Sequence, residues 1–421
     1  MMYPQIEHPQ LLLPDAVIDG SDGESKAGRA LLVEHGVIQS VGETERVKQD
    51  CPHDTVIVDL SGATLCPGLI DGHTHLSLAG DGRNYDEMFS ETDEMMVITG
   101  AMNMMKHLRA GITTIREHGA RNQVGFALKE GLQRGYLPGP RMQVSGRPIT
   151  CTGGHFWFCN EAADGEDEIR KSVRRLVHEG ADYIKIMASG GGTRGTIPGL
   201  ASYTEAELHA AVHEAHHFDR TTAAHCRARE SMKRAIQAGI DLMEHAEFLD
   251  PDDEMRFDSE IAAMMEESRI WISPTLQAWT KYSRIVELRN QRDMGSLSHE
   301  GELELERLEK RAEGRLDVMR KLLEYDVKKR VLPGTDSGVG MLAFGHLDYD
   351  LELLVEVGFT PAEAILSATR ISADAIGLSE SIGTIEAGKV ADLVAFEGDP
   401  SKDILATRRV RAVFQAGSLV P

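Results

Sequence analysis

The sequence predicts an α/β chain: a (β/α)8 TIM barrel with a small β-sandwich domain formed from both chain ends. Three observations predict it. Eight apolar, strand-like runs alternate with helical stretches through the middle of the chain. β-rich text stands at both termini. The length, 421 residues, exceeds one ordinary compact domain and suits a barrel of ~250 residues or more with a smaller unit attached. The expected boundaries are 67–379 for the barrel, with 1–66 and 380–421 together making the sandwich.

Taken in order, ALLVEHGVIQSVG from Ala30 reads as two strands turning at His35-Gly36, and TVIVDL (Thr55 to Leu60) as another. The barrel strands are then expected at Thr64–His75, Thr113–His118, Arg141–Ile149, Asp182–Ser189, Thr221–Cys226, Leu242–Ala246, Trp271–Leu276 and Val331–Ser337. Helical stretches such as Glu166–Glu179, Thr204–Phe218, Glu230–Ala238 and Ser259–Ser268 separate them. Eight such strands are the number a barrel needs, whereas an open doubly wound sheet would tolerate another count. A charged stretch, Tyr282 to Arg330, interrupts the rhythm. Within it Leu305, Leu308, Ala312, Leu316, Met319 and Leu323 fall at spacings of three and four, an apolar stripe on one long helix that would pack on the barrel wall, or else act as a lid or subunit contact. The terminal runs GTIEAGKVADLVAF (Gly383 to Phe396) and VRAVFQAGSLV (Val410 to Val420) complete the β-rich ends, which a barrel brings near each other.

Composition narrows the function. A formal charge of −22 argues against nucleic acid and anionic membrane surfaces as partners. No apolar run reaches the ~20 residues of a membrane span, and no basic leader precedes Leu11-Leu12-Leu13. The five cysteines are scattered without CxxC spacing, which points to a reducing, cytoplasmic setting rather than a disulfide framework.

The chemistry is concentrated at strand ends. Pro67-Gly-Leu-Ile-Asp-Gly-His-Thr-His75 closes the first barrel strand with histidines at i and i+2, which point the same way in a strand and can reach one ion. Catalytic groups of a barrel sit at the C-terminal ends of strands. There the chain also places Lys185 (ADYIKIMAS), His225 (TTAAHC), His245 (LMEHA) and Asp336 (VLPGTDSG). An ammonium has no lone pair, and between Ile184 and Ile186 its charge is costly. Carboxylation by CO2 would turn Lys185 into an anion able to bridge two cations. Singly, His225 or His245 would serve as a hydrogen-bonded core histidine, Asp336 as a helix cap, and Lys185 as the partner of a buried acid. Their joint register with strand ends favours metal.

PGLIDGHTH, IKIMASGG, AAHC, MEHAEF and LPGTDSG resemble, in order, the segments of the amidohydrolase superfamily, in the subtype whose binuclear metal centre is bridged by a carboxylated lysine. More narrowly the chain is similar to the prolidase-like and imidazolonepropionase-like branch. The resemblance implies that His73, His75 and Asp336 hold the more buried ion, that His225 and His245 hold the more exposed one, and that carboxylated Lys185 bridges them. It implies two divalent ions, with zinc the best fit to imidazole and carboxylate, and iron, manganese or cobalt as alternatives. It also implies a metal-bridged hydroxide as nucleophile, with Asp336 as general base and then acid.

Substrate contacts are expected from the loops. His155, in Thr152-Gly153-Gly154-His155, would touch the carbonyl oxygen or a carboxylate, or else stabilise its loop. Arg194, Tyr203 and His346 are further candidates. Arg227 departs from the peptidase pattern, in which a tyrosine or histidine usually stands two residues after the strand-5 ligand. It would bind a carboxylate bidentately or turn into a surface salt bridge. His155-Phe-Trp-Phe158 and Trp279 would shape an apolar pocket or pack on the rim. The expected activity is hydrolysis of an amide-type C–N bond in a small-molecule substrate, N-acyl amino acids or small peptides first, as a dipeptidase or carboxypeptidase does. Cyclic amides, ureas, carbamates or lactones come second, and a non-catalytic scaffold on the same fold is the reading from another class. By analogy with the superfamily the chain is expected to be a homo-oligomer.

Overall fold

The computed structural model describes residues 8–83 and 85–421. Its strands run in chain order as β1 (Gln10–Ile18), β2 (Ser25–Ala27), β3 (Arg29–Glu34), β4 (Val37–Glu43) and β5 (Val56–Pro67); then β6 (Leu69–Thr74), β7 (Ile112–Glu117) and β8 (Arg141–Val144). β9 (Tyr183–Ile186), β10 (Thr221–Ala228), β11 (Leu242–Leu249) and β12 (Trp271–Ser273) follow, and β13 (Leu393–Glu397), β14 (Val410–Gln415) and β15 (Ser418–Leu419) end the chain.

Both chain ends build one eight-stranded sheet in the order β15-β14-β13-β5-β1-β3-β4, with β2 on β1. The His35-Gly36 turn joins β3 to β4 with φ of 51° and 77°, the two positive values a type I′ hairpin needs. Strand alternation buries both faces of this sheet. Leu12, Leu31 and Val33 pack with Leu393 and Phe414, whereas Leu11, Ala30 and Leu32 pack with Val47 of the helix Thr44–Gln49. The expected Thr64–His75 strand is divided at Gly68. Its upstream half joins TVIVDL in the long β5, and its downstream half is β6. Only glycine fits the corner, because a Cβ there would lie 2.0 Å from Thr113 Oγ1.

The central strands are parallel. β6-β7-β8 form one sheet and β12-β11-β10-β9 another. Single parallel bridges, Ile149 to Ile186, Ile272 to Val331 and Thr74 to Ser337, connect these sheets to each other and to the segment Val331–Ser337. With helices between the strands, the arrangement is a TIM-barrel-like α/β fold. Several expected strands are shorter here. Arg141–Ile149 stops at Val144 before Gly146 and Pro148, and Trp271–Leu276 stops before Pro274. Val331–Ser337 is not a regular strand, because Pro333 lacks an N–H; it makes one bond toward β12 (Leu332 N to Ile272 O, 2.9 Å) and three toward β6 and His75 (Gly72 N to Pro333 O, 3.0 Å; Asp336 N to His73 O, 2.8 Å; His75 N to Ser337 O, 2.8 Å).

The interrupting stretch is a helical excursion, Tyr282–Asp293 and His299–Leu322. The expected stripe divides its work. Leu305, Leu308 and Ala312 pack with Ile285 and Leu288 in a small core of their own, while Leu316 and Met319 enter the main core; Leu323, just past the helix end, is only partly buried against it, and Leu322 takes the core position instead. Among the described residues no helix is long and apolar enough to cross a membrane. Truncating the buried face should therefore cost far more than truncating the opposite one. Leu316→Ala is expected to destabilise the protein by about 2–4 kcal/mol and Leu303→Ala, on the exposed side, by less than ~0.5 kcal/mol. Denaturant unfolding of the two variants gives the comparison, and equal losses would contradict this packing.

Candidate metal centre

The strand ends bring the expected ligands together in two adjoining groups. In the first, His73 Nε2 and His75 Nε2 lie 3.3 Å apart, and Asp336 Oδ1 is 3.3 Å from one and 3.2 Å from the other. In the second, His225 Nδ1 faces His245 Nε2 at 2.8 Å. The rings of His73 and His245 are centred 5.1 Å apart, so the groups share one chamber. All five side chains are buried.

Ring tautomers follow from the bonds on the far side of each imidazole. His73 Nδ1 donates to Glu244 Oε2 at 2.7 Å, His75 Nδ1 faces Gly119 O at 3.5 Å, and His225 Nε2 donates to Gly190 O at 3.1 Å. His245 Nδ1 donates to Thr275 Oγ1 at 2.8 Å, because that hydroxyl spends its own proton on Pro274 O; Trp279 Nε1 donates into the same pair, 3.0 Å from Thr275 Oγ1 and 3.0 Å from His245 Nδ1. Each ring thus spends its proton outward and turns a lone pair inward. Burial also holds the protonation of His73, His225 and His245 well below the ordinary histidine range, so these rings stay neutral. Converging lone pairs with a carboxylate are the donor set of a divalent cation site, and His73, His75 and Asp336 satisfy its spacing.

Lys185 lies in β9, fully buried, and its Nζ has no hydrogen-bond partner. Burial pushes it down to about 8, against the attraction of Glu244 and Asp336. A buried, unpartnered amine beside these imidazoles fits a group that is modified or ligated rather than a structural ion pair.

Three supports were not singled out in the sequence. Glu244 is wholly buried, and besides His73 it approaches His118 Nε2 at 3.3 Å. His73, His118 and Glu244 are also close enough to hold an ion. However, His118 Nε2 donates to Gly72 O at 2.7 Å, so it carries a proton, and within the trio the hydrogen bond is the one from His73 to Glu244, which braces the ligand ring. Asp71 ties strand ends together by accepting from Thr335 Oγ1 (2.7 Å), Thr335 N (3.0 Å) and His73 N (3.1 Å). Glu247 pairs with Arg227. The available signal for Glu244 and Glu247 was a charge on either side of His245 within an otherwise apolar strand.

His155 is brought to the centre, its ring 4.6 Å from that of His225. Its Nδ1 accepts from Thr193 Oγ1 (2.7 Å), whose oxygen is approached by Phe156 N (3.2 Å), which leaves Nε2 as the donor. Arg227 is also brought in, but not as a surface group. It is buried, its Nε bonds Glu247 Oε2 at 2.5 Å, and its guanidinium lies 3.8 Å over the Trp279 ring. Phe156 packs 4.8 Å from the His75 ring. The other three expected contacts have these surroundings. The Tyr203 hydroxyl is buried and donates to Ala163 O at 2.9 Å, so packing has claimed it. His346 is half exposed and stacks on Tyr349 at 4.9 Å, and Arg194 lies exposed on the loop after β9.

The family model described as the amidohydrolase family matches residues 64–420. The chain belongs to the amidohydrolase family. This amidohydrolase is 26% identical to the ochratoxinase of Aspergillus niger over 93% of this chain and 82% of the relative. It is 23% identical to the imidazolonepropionase of Brevibacillus brevis over 87% of this chain and 83% of the relative. Among solved structures, a Xaa-Pro dipeptidase with bound methionine in its active site matches with a TM-score of 0.81 and 26% identity, covering 98% of this chain and 99% of that one. The amidohydrolase is accordingly a metal-dependent hydrolase acting on carbon–nitrogen bonds.

Because Glu244 fixes the His73 ring, its loss should weaken the hold on metal. Glu244→Ala is expected to lower divalent-ion affinity by roughly 10–100-fold, measured by metal analysis after dialysis against graded chelator. Unchanged retention would reject the brace.

Proposed function

We propose that this amidohydrolase cleaves the amide bond of N-acyl amino acids or small peptides, in the manner of a dipeptidase or carboxypeptidase, with two zinc ions and a CO2-derived carbamate on Lys185. The observation that carries the proposal is the convergence of four inward lone pairs, one carboxylate and one unpartnered lysine. His73, His75 and Asp336 would hold one ion, His225 and His245 the other, and Lys185 would bridge them. When bound, the ions supply Lewis acidity that polarises a carbonyl and lowers the pKa of water.

The remaining work falls to the chain. Asp336 takes the proton from the attacking water and returns it to the leaving nitrogen, as general base and then acid. His155 Nε2–H is turned inward to donate to the substrate carbonyl oxygen, and its neutral state, favoured by burial, makes it a hydrogen-bond donor rather than a fixed charge. Arg227 uses Nε for Glu247 and has its Nη edge for the carboxylate of the leaving amino acid, with Trp279 fixing the plane of the guanidinium. Phe156 and Trp279 offer apolar walls to the acyl side.

A second reading, hydrolysis of a cyclic amide, urea, carbamate or lactone, is favoured by the imidazolonepropionase relative. The scaffold reading is disfavoured by the complete ligand set. The proposal extends to an eight-stranded closed barrel over 67–379, a β-sandwich from 1–66 and 380–421 (of which 1–7 lie outside the described residues), and a homo-oligomer. It includes a cytoplasmic setting, for which the five free cysteines speak.

Native mass spectrometry is expected to find two zinc ions and one added CO2 per chain in the wild-type protein, both lost in Lys185→Ala. A well-folded wild-type protein that takes up no divalent ion would favour the scaffold. The substrate class is tested with a panel of N-acyl amino acids, dipeptides, their carboxamide-capped analogues and cyclic amides. Wild-type enzyme should prefer free carboxylates. Arg227→Met should raise their KM by about tenfold or more, the scale of a charge-assisted pair, and leave the capped analogues unmoved. Asp336→Asn serves as the inactive control. Equal turnover of capped and free substrates would overturn the carboxylate assignment, and turnover confined to cyclic amides would select the second reading.

A further inference from the structure

The excursion between β12 and Val331 delivers one side chain that its own packing does not call for. Arg315 lies on the helix His299–Leu322, on the same side as Ala312, Leu316 and Met319, where an apolar residue would continue the stripe. Its side chain is almost wholly buried. A buried guanidinium is costly unless its donors are used. Here its two terminal nitrogens are used on backbone carbonyls within β11 and just after β12, while Nε is buried without a partner: Nη1 donates to Ala246 O at 3.2 Å, and Nη2 donates to His245 O and to Pro274 O at 3.3 Å. The charged groups that bear on it are Glu247, which favours its protonation, and Arg227, which opposes it.

The backbone it grips is sterically disfavoured. His245, Ala246, Phe248 and Thr275 have φ of 70°, 47°, 56° and 45°, the left-handed region that residues with a Cβ seldom adopt. Left to itself this stretch would relax toward extended backbone and carry the His245 ring away from His225. Such conformations persist only where the surroundings over-determine them. On the other flank Thr275 Oγ1 holds His245 Nδ1, so carbonyl and ring of one residue are both held, from different elements.

We infer that Arg315 is a positioning residue: supplied by the helical excursion, it clamps the left-handed ends of β11 and β12 so that His245 Nε2 stays opposite His225 Nδ1. The excursion is then a strut of the metal centre, not a lid. The inference rests on the proposed sharing of an ion by His225 and His245. It predicts an asymmetric defect, because nothing in the His73, His75 and Asp336 group leans on Arg315.

The test compares wild type, Arg315→Met, which keeps length and removes the donors, and Arg315→Lys, a single charge that cannot span three carbonyls. Zinc is titrated under buffered free concentrations and counted by elemental analysis, with the thermal midpoint of each metal-free protein measured in chelator. The expected result is an affinity drop of about tenfold or more for one of two ions in both variants, at metal-free midpoints close to wild type. Guanidinium ion added to Arg315→Ala should restore the second ion. Two ions held as in wild type, or both weakened together with a collapsed midpoint, would overturn the inference; if Arg315→Met does not fold, Arg315→Lys gives the same reading. Should wild type itself bind fewer than two ions, the two-ion proposal fails, and amide exchange in metal-free protein decides the clamp. Faster exchange confined to residues 245–249 and 274–276 in the variants supports it, and unchanged exchange rejects it.

Discussion

Four buried imidazoles must stay close together and fixed in orientation, and the strand ends of the TIM-barrel-like fold are organised around that requirement. Burial favours the neutral form of His73, His225 and His245, since an imidazolium without water is heavily penalised. It does not secure orientation, because a neutral ring can flip or exchange tautomers. Orientation comes from the outward bonds to Glu244, Gly119, Gly190 and Thr275. Each consumes an N–H and leaves the opposite nitrogen as a lone pair, so the polarity of the chamber is set by groups that line its outer wall.

Holding rings at this spacing also distorts the backbone. Non-glycine residues in the left-handed region cluster where the ligands lie: His245, Ala246, Phe248, Thr275 and Asp336. Each costs of order 1–2 kcal/mol relative to ordinary conformations. The opposing bonds come from distant segments. Asp71 accepts from Thr335 across 264 residues, and Arg315 reaches back to His245 across 70. The centre is therefore rigid because several elements, none adjacent in the chain, each hold one disfavoured conformation.

Under the proposed function, recognition would rest on a local reversal of charge. The protein is strongly acidic overall, but beside the imidazoles a buried guanidinium stacks on Trp279. Glu247 neutralises it in part and fixes its plane, so the cation is a directed donor rather than a diffuse attraction. The proposed pocket for a small anionic group would be compatible in this way with a surface that repels polyanions.

Much of this was readable along the chain. Alternating strand and helix text announced a TIM-barrel-like α/β chain, because hydrophobic periodicity is a local property of consecutive residues. His73, His75, Lys185, His225, His245 and Asp336 were legible because barrel geometry sends active groups to strand ends, so position along a strand stands in for position in space. The short ladder at Arg141–Val144 and the isolated bridges of Val331–Ser337 were less legible, since proline and glycine interrupt hydrogen bonding without altering the apolar pattern. Glu244, His118, Thr275 and Arg315 were not legible as parts of a centre. Their roles depend on which atom faces which across 30 to 171 residues, or between a helix and the strands it packs on. Residue type can nominate a ligand, because lone pairs and charge are properties of one side chain. A partner is a property of two side chains and exists only once folding has set the distance between them.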